Sequence, residues 1–314
     1  MMATSWSTYF GHICDHASIF FGSEEISKTY KNPALKIDFG IDDLRHEVNA
    51  HAARRSEAEY EIRLYAGLIA ALDRYCAKTL ESHPQLFEGD SGRIADQSVL
   101  ASYLMRLWID FIIFHEWAHV INGHLEWANR ANWDEVGDLA IGAPGIRQAL
   151  ELEADSRATV FVLATLAADW RAATEQLYGT PNPRHAWRNF FNALMLLFDF
   201  FEEIPGKKVV GGSTHPDPFA RAYTCQMFIF GDHRRVAGLP VIEGADLQKY
   251  LTQLSIDYYL KAKGADPNRF LERSLAATQF CIGVDALIDQ HGIKQFRLTR
   301  EKDGVDPARA SAGV

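Results

Sequence analysis

The sequence predicts a mainly α fold with a small β component. Three observations carry this. Long runs place apolar residues three and four apart, capping residues punctuate their ends, and one short run, Leu35–Phe39, reads as a strand. Taken in order, a helix is expected from about Ser56 to Ser82, with a charged start (Glu57, Glu59, Glu61, Arg63) and an apolar continuation. A polar break over His83–Arg93 separates it from a second helix, about Gln97 to Asn122, which Gly123 stops. Residues 124–145 hold three glycines and a proline and read as a loop. A third helix follows over about Ile146–Tyr178, with Gly179 and Pro181 beyond it. Asn182-Pro183 supplies the cap and first position of a fourth, ending before Pro205-Gly206. Lys207–Gly212 reads as a short strand and a candidate edge for an extended peptide, since it adjoins His215. Further helices are expected at about Pro218–Phe230, Asp246–Ala262 and Pro267–Gln290. The whole chain, 1–314, reads as one domain, with a helical C-terminal subdomain from about 240 to 300.

Composition narrows the function classes. The chain is 47% hydrophobic and 23% charged, ordinary globular usage, and its net charge of −9 argues against a nucleic-acid or anionic-membrane binder. Cys14, Cys76, Cys225 and Cys281 form no CxxC pair, so a reducing compartment is expected. The start, MMATSWSTYFGH, lacks the basic and apolar regions of a signal peptide. The longest apolar stretch, Phe190 to Phe201, is interrupted by Asn192 and Asp199 and is too short to span a bilayer. The expectation is a cytoplasmic protein with no membrane span and an oligomeric state left open.

The chemistry concentrates in the second long helix, which contains Phe114-His115-Glu116-Trp117-Ala118-His119, an HExxH motif. Residues four apart share a helix face, so both imidazoles reach one metal ion. Glu116 sits one step round, placed to take a proton from water held there. Leu104, Trp108 and Phe111 continue the stripe, so this face points inward, where polar groups need partners. His46-Glu47 with His51 is a false match, because five-residue spacing turns ~140° round a helix and reads as a solvated charged face. The third ligand must lie elsewhere. An HExxHxxGxxH pattern fails at Asn122 and Leu125, and His124, just past Gly123, is a less regular candidate. The third helix offers Glu151 and Asp155 on one face, with Ala154 and Ala158 small enough to admit a close neighbour. Glu151 as third ligand and Asp155 as acceptor for a ligand histidine's N–H would complete a His₂Glu site; a solvated helix surface is the competing reading.

The order HExxHxxxGH, ExxAD, HPxxxxR is similar to that of the gluzincin metallopeptidases, in particular the family of CAAX prenyl proteases and the HtpX heat-shock protease. Here it reads His115-Glu116…His119…Gly123-His124, then Glu151…Ala154-Asp155, then His215-Pro216…Arg221. The resemblance implies a zincin-like core of two long helices carrying HExxH and ExxxD. It implies Zn²⁺ on His115, His119 and Glu151, water activation by Glu116, and support from His215 and Arg221, with His215 donating to a developing oxyanion. Those relatives are embedded in membranes. Among soluble proteins the chain resembles the Lit-type phage-exclusion peptidases, which cleave elongation factor Tu. That likeness points to a cytosolic bacterial endopeptidase with a restricted protein substrate.

On the residues alone, His215 before Pro216 suits either a capping role or a rigidly held donor, and Arg221 either pairs with Asp155 or Glu151 or faces water. Trp117, Trp127 and Trp133 either line a pocket for apolar side chains or pack in the core. His12, Cys14 and His16 read as a second metal-like cluster, with Cys14 as an autoinhibitory ligand the alternative reading. The function expected is zinc-dependent hydrolysis of peptide bonds in a protein or peptide substrate, in a phage-defence or toxin role. The alternative is a catalytically silent zinc-binding regulator that binds a protein partner.

Overall fold

A small sheet and two long helices frame the groups discussed below. The computed structural model describes residues 20–88, 96–130, 144–204, 216–232, 236–242 and 247–299, together with Ile13 and Ala17. The sheet comprises β1 (Lys36–Asp42), β2 (Ala50–Arg54) and β3 (Glu59–Tyr65), in the order β1-β3-β2. β3 runs parallel to β1, with Lys36 opposite Glu59, and antiparallel to β2, with Ala52 opposite Ile62.

β3 corrects the sequence expectation. The helix predicted from Ser56 begins only at Ala66, and the charges read as its first turns belong to a strand. Residues 59–65 alternate with period two: Tyr60, Ile62 and Leu64 are buried in the core, while Glu61 and Arg63 lie on the other face. There Glu61 is paired with Arg55, Arg63 and His51. His51 therefore sits on strand β2, not on a solvated helix face.

The helices follow in order: α1 (Glu24–Thr29), α2 (Ala66–Ser82), α3 (Gln97–Ile121), α4 (His124–Arg130), α5 (Pro144–Tyr178), α6 (Pro183–Glu203), α7 (Pro218–Asp232), α8 (Leu247–Ile256) and α9 (Pro267–Gln290). The cap predicted at Asn182 forms, and two further helices are capped in the same way. Asp96 accepts from the N–H groups of Ser98 and Val99, Asn182 from Arg184 and His185, and Asp266 from Arg269. The predicted loop from 124 is instead helical to Arg130, because the chain restarts a helix directly after Gly123. Beyond α8 the chain tightens into a π-helical turn over Asp257–Ala262. The expected strand Lys207–Gly212 lies outside the described residues, as does the cluster at His12, Cys14 and His16.

The core lies around α3 and α6. Trp108, Phe111, Trp117, Phe161, Trp187, Phe190, Phe191 and Phe198 are fully buried. Trp108 donates its indole N–H to the Ala193 carbonyl at 2.7 Å, which fixes α3 against α6. α3 is long and apolar enough to cross a membrane by length and composition, yet two-thirds of its most apolar window is buried inside the protein. Cys76, Cys225 and Cys281 are free thiols.

Asp110, on α3, is a cost the core carries. Its Oδ2 has no hydrogen-bond partner among the described residues, and Arg106 stands 3.9 Å away. Burial pushes its carboxyl up to about 7, Arg106 opposing. An unfolded aspartate titrates near ~4, so the folded chain holds the extra proton between the two values, and stability falls as pH rises from about 4 to about 7. Asp110→Asn is expected to flatten that dependence and to gain about 1–3 kcal/mol at pH 8, with little change at pH 4, in urea unfolding at both pH values. An unchanged pH dependence would contradict the assignment.

Candidate metal centre

Among the described residues α3 and α5 pack along one another most extensively, and the candidate site lies in their seam. Ala154 and Ala158 are fully buried at the contact and keep α5 close, as their size predicts. From α3, His115 and His119 project on one face; from α5, Glu151 meets them. His115 Nε2 and His119 Nε2 are 3.1 Å apart, and each stands 3.5 Å from a Glu151 carboxylate oxygen. One nitrogen from each histidine and one Glu151 oxygen thus all lie within 4.8 Å of one another.

The second nitrogen of each histidine is also engaged. His115 Nδ1 lies 2.9 Å from Asp155 Oδ1, and since an ionised carboxylate only accepts, this nitrogen carries the proton. Asp155 is completely buried and is gripped from α7 by Arg221, whose Nε reaches Oδ2 and whose Nη2 reaches Oδ1, each at 2.7 Å. The guanidinium also packs over the rings of Phe198 and Phe201. Arg221 therefore pairs with Asp155 rather than facing water. His124 takes no place beside Glu151. Its Nδ1 lies 2.8 Å from His119 Nδ1, and its Nε2 lies 3.0 Å from Glu153 Oε2.

Electrostatics separate the groups. Burial pushes His115 down, but hydrogen bonds to Asp155 and Glu151 outweigh it and raise the imidazole to about 10. Burial and the neighbouring His115 and His124 push His119 well below the ordinary range, against Glu151. Burial works against Asp155 ionising, yet Arg221 and His115 hold its carboxyl below the usual value. Glu116, half-buried, is raised by burial, with His115, the Ala52 N–H and Arg221 opposing and Glu151 adding to the shift.

The Ala52 N–H places Glu116 against the sheet. In the β2–β3 ladder the Tyr65 N–H bonds to the Asn49 carbonyl and the Arg55 N–H to the Glu59 carbonyl, so 51/63 and 53/61 are the hydrogen-bonded pairs between them. Ala50, Ala52 and Arg54 thus turn their backbone groups to the outer edge, and no described strand pairs there. This edge lies beside the site.

Sequence reasoning located His115, Glu116, His119, Glu151, Asp155 and Arg221, and the structure gathers them into one cluster. His215 and Trp133 lie outside the described residues. Trp117 and Trp127 pack in the core. Trp117 is fully buried with its N–H on the Tyr30 hydroxyl at 3.1 Å, and Trp127 packs with Ile146, Leu150 and Ile288 in a smaller core. The roles of His124, Glu153 and the β2 edge were not foreseen.

Truncating Arg221 would leave Asp155 a buried carboxylate with one partner. Arg221→Met is expected to destabilise the fold by about 3–5 kcal/mol in urea unfolding at pH 7, the cost of breaking a buried pair. A loss under about 1 kcal/mol would show that Asp155 does not depend on it.

Comparison with known proteins adds one finding. No curated protein and no solved structure is matched. The sequence pattern of a family described as Peptidase U49 matches residues 65–238, more than half of the chain, a segment that contains His115, Glu116, His119, Glu151, Asp155 and Arg221. The chain belongs to the peptidase U49 family, and its substrate is accordingly a protein or peptide.

Proposed function

We propose that this peptidase is a zinc-dependent metalloendopeptidase. The observation that carries the reading is the convergence of His115 Nε2, His119 Nε2 and the Glu151 carboxylate on one point, with Glu116 beside it. The donor set suits zinc: two imidazoles and one carboxylate are the ligand types that hold zinc in catalytic rather than structural sites. Charge supports the same ion. Among the described residues Glu116, Glu151 and Asp155 gather near the Arg221 guanidinium, and a divalent cation would offset carboxylate charge there.

Zinc bound there would polarise the scissile carbonyl and acidify a water molecule. The chain's own residues do the rest. Glu116 accepts a proton from the attacking water and returns it to the leaving amine, a general base turned general acid, and its raised carboxyl suits both directions. Asp155 holds a proton on His115 Nδ1, which leaves Nε2 as the nitrogen that would face the metal. Arg221 holds Asp155 in place. The outward N–H and C=O groups of Ala50 and Arg54, with the C=O of Ala52, offer an extended substrate a strand to pair with, which favours an unfolded segment or exposed loop over a folded surface. The likeness to Lit-type phage-exclusion peptidases supports a restricted protein substrate, a cytoplasmic setting and a phage-defence or toxin role.

The test is Glu116→Gln, assayed on a peptide library by mass spectrometry with metal content measured on the same samples. The variant is expected to keep its zinc and lose cleavage by about 10²–10⁴-fold. Cleavage at the wild-type rate would contradict the role of Glu116. Zinc in a wild type that never turns over would favour the silent regulator.

A further inference from the structure

The sequence motifs account for the support of His115 by Asp155 and leave His119 without one. The structure supplies it from the far end of the chain. His119 Nδ1 lies 2.8 Å from His124 Nδ1, His124 Nε2 lies 3.0 Å from Glu153 Oε2, and Arg297 Nη2 lies 2.6 Å from Glu153 Oε1. His124 is buried, and Glu153 and Arg297 are mostly so.

With His124 neutral, the acceptor at the end sets the direction of these hydrogen bonds. A carboxylate has no proton to give, so His124 Nε2 must be the N–H facing Glu153. A neutral His124 then has a lone pair at Nδ1, and His119 Nδ1 must donate to it. That leaves the lone pair of His119 on Nε2, the nitrogen 3.5 Å from Glu151. Reversing any bond in the chain would put a proton on His119 Nε2, where a metal ligand cannot have one.

Arg297 is delivered by a segment tied to the motif helix itself. The Leu298 N–H bonds to the Ile121 carbonyl at 2.9 Å, and the Lys31 N–H bonds to the Leu298 carbonyl at 2.7 Å. Tyr30 pairs with Thr299 in an isolated bridge. The segment runs so close to Gly123 that a Cβ there would lie 2.2 Å from the Phe296 carbonyl oxygen, and Gly123 has φ 77°. The glycine that ends α3 thus also admits the strap that supports its last histidine.

We infer that Arg297, Glu153 and His124 are positioning residues that orient His119 for metal, so that the C-terminal segment, outside the matched family region, is a working part of the centre. The inference rests on the metalloendopeptidase reading for the metal, and on hydrogen-bond geometry alone for the tautomers. Two readouts separate them: zinc affinity by chelator competition, and ¹⁵N–¹H correlation spectra of the histidine rings in the wild-type chain.

The wild type is expected to bind one zinc and, with metal removed, to show His119 protonated at Nδ1 and His124 at Nε2. Arg297→Ala and Glu153→Ala are each expected to weaken zinc binding by about 10–100-fold while remaining folded by circular dichroism. Arg297→Lys should recover part of the loss, and the double variant should lose no more than Glu153→Ala alone, as members of one chain do. If Arg297→Ala does not fold, Arg297→Lys and Glu153→Gln carry the comparison, each expected to bind zinc less tightly than wild type. Zinc affinity within about twofold of wild type in both alanine variants, or in both conservative ones, would overturn the inference and leave the metal site standing. His119 protonated at Nε2 in the metal-free chain would overturn it on geometry. A wild type that binds no zinc would remove the reading on which it rests.

Discussion

The carboxylate of Asp155 is the constraint on which the site depends. It is completely buried, and burying a lone carboxylate costs far more than a domain of marginal stability can carry. The cost is offset only because two helices other than its own bring donors to it: His115 from α3 and Arg221 from α7. Any displacement of these three helices would strand a charge. The arrangement that neutralises Asp155 is also the one that aims His115 Nε2 at Glu151. Packing and chemistry are therefore satisfied by one geometry, and the aromatic rings of Phe198 and Phe201 close it from the side of α6.

Around that anchor the two histidines are held by opposite devices. His115 rests on a carboxylate that is buried and locked by an arginine, a short and rigid support. His119 rests on a longer chain through His124 and Glu153, which ends on an arginine some 140 residues downstream. Burial pulls the Glu153 carboxyl upward, but His124 and Arg297 outweigh it and bring it to about 2, so the acceptor at the end of the chain stays ionised. Both ligands are oriented by an ionised carboxylate; in one case the carboxylate is direct, in the other a second imidazole stands between. Glu116 alone faces the sheet, where the Ala52 N–H reaches it.

Much of this was legible in the sequence, for identifiable reasons. His115 and His119, or Glu151 and Asp155, are four apart on a helix, and helical periodicity places such pairs on one face without reference to the rest of the fold. The cap at Asn182 was legible because it acts over two or three residues. What escaped is either a competition between periods or a contact between distant residues. Residues 59–65 carry charges that fit the first turn of a helix, yet Tyr60, Ile62 and Leu64 alternate as a buried strand, and tertiary burial decided the matter. Strand β2, with its small alanines, has no apolar alternation to read. Glu153 stands only two residues from Glu151, which on a helix turns it ~200° away, so nothing local ties it to His119. Only the return of the chain at Arg297 reveals its use.

The most direct test is metal content per chain by mass spectrometry, on the purified wild type beside His119→Ala and Glu151→Ala. The account predicts about one zinc per wild-type chain and a sharp loss in both variants, with helical content kept. A folded wild type that takes up no zinc after supplementation, or variants that keep the wild-type stoichiometry, would contradict it.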